Sequence, residues 1–204
     1  MSSGFLKTVR EAETTAQPAS AGFRETFSNL IGNRDEIFFE DYWEKHPVFF
    51  DRQKLKDNLI NEDVFSRKKL LEIVDEIELP VETNLSAVNY IAQTRQAWPF
   101  SSNTASTKEI KSAFKSSYTV QFFQPQRFSD ELHQINAGFE HVFGSLAGAS
   151  AYLTPPNSQG LAPHHDDVDV FVLQVKTTST KVFFLSQLSY FILLFATRTL
   201  IRAQ

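Results

Sequence analysis

The residues in this sequence best able to do chemistry sit together: His164-His165-Asp166-Asp167, where a Ser/Gln/Gly/Pro loop from Ser158 gives way to a Val- and Phe-rich run ending at Gln174. That run has the composition of a β-strand. Strand residues two apart project to the same side, so His164 and Asp166 would converge on one point. An imidazole and a carboxylate so placed are two of the three ligands of a 2-His-1-carboxylate facial triad, which holds Fe(II) and leaves positions open for O₂ chemistry. His165 and Asp167 have the same spacing, and a His-x-Asp in a solvated loop would look no different. Register bears on the choice. His164 and Asp166 share a face with Val168, Val170 and Val172, whereas the other pair lies with Asp169, Phe171 and Leu173. A metal at the mouth of a small barrel needs its ligands above apolar filling residues. The second face would also turn Asp169 inward without a partner. The expectation is therefore metal ligation by His164 and Asp166, with the three valines inward.

The elements that must position this pair are legible in outline. Phe23, Phe27, Leu30 and Ile31, then Ile37, Phe38, Tyr42 and Trp43, recur at helical spacing, with Gly32-Asn33 as the break and Asn33 as cap of the second helix. His46-Pro47 ends that helix. A third helix is expected over Phe65–Ile77 with Leu70, Leu71, Ile73, Val74 and Ile77 apolar. Val88, Tyr90 and Ile91 suggest a strand before the Ser101–Ser106 loop; Ile110–Phe114 reads as a short helix and Tyr118–Phe123 as a strand. Ser129 is an N-cap for a helix buried through Leu132, Ile135, Phe139, Val142 and Phe143 and stopped by Gly144. His133 and His141 on that helix read as surface or packing residues. Ser150–Thr154 is a strand leading through Pro155-Pro156 into the metal loop. Helices first and short strands afterwards imply an α+β protein with an incomplete sheet or barrel.

Composition narrows the function. A chain of 204 residues can bury one substantial core. A net charge of −4 provides no electrostatic basis for binding nucleic acid. The absence of cysteine excludes disulfides and thiolate metal sites. Residues 1–22 lack an apolar core of signal-peptide type and read as a disordered leader.

Five segments, in order and with compatible spacing, resemble a known family: Phe38-Phe-Glu-Asp-Tyr-Trp-Glu-Lys-His-Pro47, Phe122-Phe-Gln-Pro-Gln-Arg-Phe128, Phe143-Gly-Ser-Leu-Ala-Gly148, Tyr152-Leu-Thr-Pro155 and Ser158–Gln174. They look like the JmjC ribosomal oxygenases, with Phe122–Phe128 nearer the MINA-like branch of bifunctional demethylases and histidyl-hydroxylases. The resemblance covers about residues 23–174. It implies N-terminal helices followed by a double-stranded β-helix, a jelly roll of cupin type, that binds Fe(II) and 2-oxoglutarate. It also implies hydroxylation of a histidine in a ribosomal protein, demethylation of lysine in histone H3, a nuclear or nucleolar location and a homodimeric family state, without direct nucleic-acid or membrane binding. His164 and Asp166 match the family's first two iron ligands. Tyr152 matches a position near the co-substrate and Gln121 one near the substrate.

The chain departs from that pattern after Gln174. The family's third ligand is a later histidine, yet no histidine follows His165; its co-substrate lysine falls where this chain has Ser179, leaving Lys176 or Lys181 to substitute. Residues 175–204 form a hydrophobic tail interrupted by Ser186, Gln187, Ser189 and Arg198, a poor membrane anchor. Gln174-Val175-Lys176 can be encoded by a splice-donor consensus, so the tail is expected to be intron read-through. The expectation is a chain truncated within the JmjC domain and inactive in isolation. The rival expectation is a binding or regulatory module.

Overall fold

The computed structural model describes residues 19–32, 34–45, 48–50, 64–164, 168–177 and 190–197. Helix α1 spans Ala19–Leu30, so it begins inside the stretch expected as a leader. Its Phe27, Leu30 and Ile31 are buried at helical spacing. Gly32, at φ 72°, breaks the helix as expected. A short turn, Asp35–Ile37, then continues as a π-helical turn over Phe38–Tyr42. Its cap position is Arg34, not Asn33, and no side chain caps it. The Ser28 hydroxyl bonds the Asp35 carboxylate instead, tying the turn back to α1. His46-Pro47, the expected helix stop, lies outside the described residues.

Helix α2 (Arg67–Glu76) starts where the Ser66 hydroxyl accepts the Lys69 amide at 3.3 Å. It buries Leu70 and Val74, but Ile77, expected on that face, is exposed because the backbone has already turned extended there. Helix α3 (Thr107–Lys115) opens on a reciprocal capping box between Ser106 and Glu109. Glu109 also accepts the Ser101 amide and hydroxyl, each at 2.8 Å. These bonds, led by the Ser101 amide, hold its carboxyl down at about 2. Helix α4 (Asp130–Phe143) is capped by Ser129 and closed by Gly144 at φ 61°, as the sequence suggests.

The strands are β1 (Leu85–Ile91), β2 (Thr94–Ala97), β3 (Thr119–Phe123), β4 (Ala147–Thr154), β5 (Asp169–Thr177) and β6 (Tyr190–Thr197). They form one sheet in the order β2-β1-β3-β4-β6-β5, with every pairing antiparallel. β2 was not foreseen. Its hairpin turns on Ala92 and Gln93, both at positive φ (48° and 62°), without the Asn-Gly chemistry that usually marks such a turn. The expected boundary between 174 and 175 falls inside β5, and the tail supplies β6. Among the described residues no helix is long and apolar enough to cross a membrane.

The two faces of the sheet differ. Leu85, Ala87, Val120, Phe122, Ala149, Ala151, Leu153 and Leu173 belong to the core. Phe171 joins them against α1, the π-turn and α4, with ring centroids 6.1 Å from Phe27 and Trp43, 4.9 Å from Phe139 and 5.3 Å from Phe143. Cross-strand register sets Ser86, Gln121 and Tyr152 side by side on the opposite face, which Val170 and Val172 share by the alternation of β5. This corrects the expectation that Val168, Val170 and Val172 fill an apolar interior. They are 37%, 43% and 39% exposed, and Phe171 and Leu173, on the other parity, do the packing. The physical reason is that the helices supply their aromatic surface to one face only.

Candidate functional site

The open face is built outward from the central strands. β3 and β4 pair Gln121 directly with Tyr152, and β1 sets Ser86 on the other side of Gln121. The Ser86 hydroxyl donates to Gln121 Oε1 at 2.7 Å, and Gln121 is only 5% exposed. With its carbonyl so engaged, the Gln121 carboxamide has both N–H donors on its other arm. One step along the same face, the Thr119 hydroxyl donates to the Thr154 hydroxyl at 3.2 Å.

The loop after β4 folds back over these strands. The Ser158 hydroxyl donates to the Pro155 carbonyl at 2.7 Å. The Tyr90 amide donates to the Gln159 carbonyl at 2.7 Å, in the slot that β3 vacates once its pairing with β1 ends at Val88 and Thr119. The Gln159 side-chain amide donates to the Leu161 carbonyl at 2.8 Å. Gly160 then packs against Thr119 so closely that a Cβ there would sit 2.4 Å from the hydroxyl oxygen.

This path ends at His164, which is exposed, with Nδ1 at 2.8 Å from the Ala162 carbonyl. A carbonyl only accepts, so Nδ1 is the nitrogen that carries a proton in this contact. β5 begins at Asp169, which puts His164 in the loop ahead of the strand and not on it.

The structure therefore joins Gln121 with Tyr152 and brings the His164 loop onto the same strands. Asp166, His165 and Asp167 lie outside the described residues. So do Ser179 and Lys181, while Lys176 stands in β5 opposite Phe191. His133 and His141 are exposed on α4. Among the described residues no three His, Asp or Glu side chains gather where they could hold a metal ion. The described residues offer one imidazole, that of His164, and a polar, partly buried wall, while Asp166, the carboxylate expected beside it, lies outside them. Sequence reasoning missed Ser86, Thr119, Thr154 and Gly160. Only Gly160 carried a signal, as a glycine inside the metal loop.

Helices packed on one face of an antiparallel sheet, with a polar open face, define an α+β partial jelly roll of the JmjC/cupin kind. Residues 121–180 match the JmjC domain family model. The chain is 33% identical over 151 residues to ribosomal oxygenase 2 of Rattus norvegicus, covering 74% of this chain and 32% of that protein. It is 34% identical over 139 residues to human ribosomal oxygenase 1, covering 68% and 21% respectively. A third relative, the bifunctional lysine-specific demethylase and histidyl-hydroxylase NO66 of Aedes aegypti, is 30% identical over 164 residues, 80% of this chain and 25% of its own. These matches make the chain a relative of the JmjC ribosomal oxygenases that carries part of a JmjC domain. It spans about a third or less of the length of the curated relatives it matches.

Proposed function

We propose that this chain carries the inner wall of an Fe(II)- and 2-oxoglutarate-dependent oxygenase. In the longer protein that wall serves hydroxylation of a ribosomal-protein histidine and demethylation of histone H3 lysine, in the nucleus or nucleolus. In this reading His164 and Asp166 are two of the iron ligands, Tyr152 faces the co-substrate and Gln121 the substrate. The observation that supports it best is the row Ser86–Gln121–Tyr152 on the face away from the helices, beside the loop that ends in His164. A buried carboxamide held by one oxygen is suited to orient a polar ligand by its N–H groups.

The 204-residue chain by itself is proposed to be inactive, since no histidine follows His165 to complete the triad. A protein joining Gln174 to a segment that supplies the missing imidazole and lysine is the active form, and residues 175–204 are then intron read-through. Sequencing the transcript across codons 170–180 tests the junction. Mass spectrometry of a histidine peptide from a ribosomal protein tests the chemistry. Hydroxylation is expected from the longer protein, absent from its His164→Ala and Asp166→Ala variants and absent from this chain; turnover by this chain would overturn its inactivity. The second reading, a binding module that associates with a partner or with a full-length copy, is favoured by the exposed Val170 and Val172 on edge strand β5. A defined stoichiometric complex on co-purification is its expected signature.

A further inference from the structure

We infer that Gly160, Thr119 and Thr154 form a latch that seats the loop carrying His164 on β3. The inference rests on the proposed role of His164 and adds the residues that hold it. Three observations carry it. A Cβ at Gly160 would lie 2.4 Å from Thr119 Oγ1, 2.5 Å from its Cβ and 3.0 Å from its Cγ2, so only glycine brings the loop backbone this close to β3. Thr119 cannot yield, because it is β-branched, 2% exposed, and tied by its hydroxyl to Thr154, itself 1% exposed. Next to this contact, the Tyr90 amide donates to the Gln159 carbonyl, so the loop is bonded to β1 and wedged on β3 at consecutive residues.

The chain from Gly160 to His164 has little freedom left. The Gln159 side chain bonds the Leu161 carbonyl, and the Ala162 carbonyl accepts from His164 Nδ1 at 2.8 Å. A loop seated at Gly160 therefore carries the ring with its Nδ1–H turned to the Ala162 carbonyl. If the loop lifts, the Ala162 carbonyl and the ring no longer share a fixed geometry and the tautomer preference goes with it. Gly160, Thr119 and Thr154 are positioning residues in this sense; none of them touches a reacting atom.

The test uses the full chain and needs neither metal nor activity. In the unaltered protein the Tyr90 amide is expected to exchange about as slowly as Val88, and His164 to show the Nδ1–H tautomer by ¹⁵N NMR. Gly160→Ala should speed Tyr90 exchange at least ~10-fold while leaving Leu85–Val88 protected. It should also shift His164 toward a tautomer mixture. Thr154→Val, which keeps shape and removes only the hydroxyl bonded to Thr119, should move both signals the same way by less. The inference is overturned if Gly160→Ala leaves Tyr90 exchange and the His164 tautomer unchanged, or if protection is lost across the whole of β1 in both variants. If the latch signals behave as expected but His164→Ala leaves a longer, active protein active, the latch stands and the ligand role falls.

Discussion

The two faces of this sheet are made from the same strands by alternation, yet they have been put to opposite uses. On the helix side, aromatic rings from α1, the π-turn, α4 and β5 interlock; Phe27 alone has ring centroids 5.6 Å from Phe38, 5.8 Å from Phe139 and 5.3 Å from Phe143. On the other side, hydroxyls and a carboxamide bond one another, and two valines remain in contact with solvent. The first arrangement derives its stability from apolar area removed from water. The second buries one valine, Val88, but its polar pairs add little, because a hydroxyl–hydroxyl bond only exchanges one partner for another. What the contrast teaches is a division of labour: the aromatic face holds β5 in place, and the polar face keeps its hydroxyls and carboxamide clear of the helices.

The most severe way to break that contrast is Phe27→Ala. At 1% exposure, surrounded by rings, Phe27 should cost about 3–5 kcal/mol on truncation, read as the shift in urea unfolding free energy. Tyr152→Phe on the open face should cost less than ~1 kcal/mol in the same measurement. Equal losses would mean that the two faces contribute alike. Next in size is Asn136→Ala. Its amide donates to the Ala147 carbonyl at 3.0 Å, joining the last turns of α4 to the first residue of β4. Its removal should cost about 1–3 kcal/mol by leaving that carbonyl without the side-chain donor.

Ser106→Ala, at the head of α3, should cost ~1 kcal/mol by loss of its cap. The same box makes a pH test. Glu109 is held below its ordinary 4.5, at about 2, so its contribution is present above about 4.5 and fades as pH falls toward 2. Glu109→Gln should flatten the stability profile across that window and leave it unchanged in shape near neutrality. The smallest effects belong to Val170→Ser and Val172→Ser, each within ~0.5 kcal/mol in this chain, as for exposed positions generally. In a longer protein that covers the open face, the same substitutions should cost more; comparing melting temperatures in the two contexts measures how far that face is covered.

Legibility followed local physics. The Ser129 cap, the Gly144 stop and the strand at Tyr118–Phe123 could be read because each depends on a few neighbouring residues. The Ser106–Glu109 box was equally local, a Ser-x-x-Glu ahead of an apolar run, and was passed over. The β1–β2 hairpin was not legible, because Ala92 and Gln93 adopt a turn that their side chains do not favour and the pairing of the flanking strands imposes. The π-turn at Phe38–Tyr42 was invisible for a related reason: helical spacing does not distinguish an i+4 turn from one widened so that the Trp43 amide reaches the Phe38 carbonyl.

By itself the sequence determined which residues are apolar, where most helices start and stop, and that His164 and Asp166 have the types and spacing of two metal ligands, while Gln121 and Tyr152 entered only through the family resemblance. It also determined that alternate residues of β5 must face opposite ways, since a strand has a period of two. Which of those faces is inside was decided only by tertiary structure. The aromatic surface of α1 and α4 claims Phe171 and Leu173, and with that choice Gln121 and Tyr152 are left together on the far side. Burial is a property of what packs against a strand, and no strand carries that information in its own alternation.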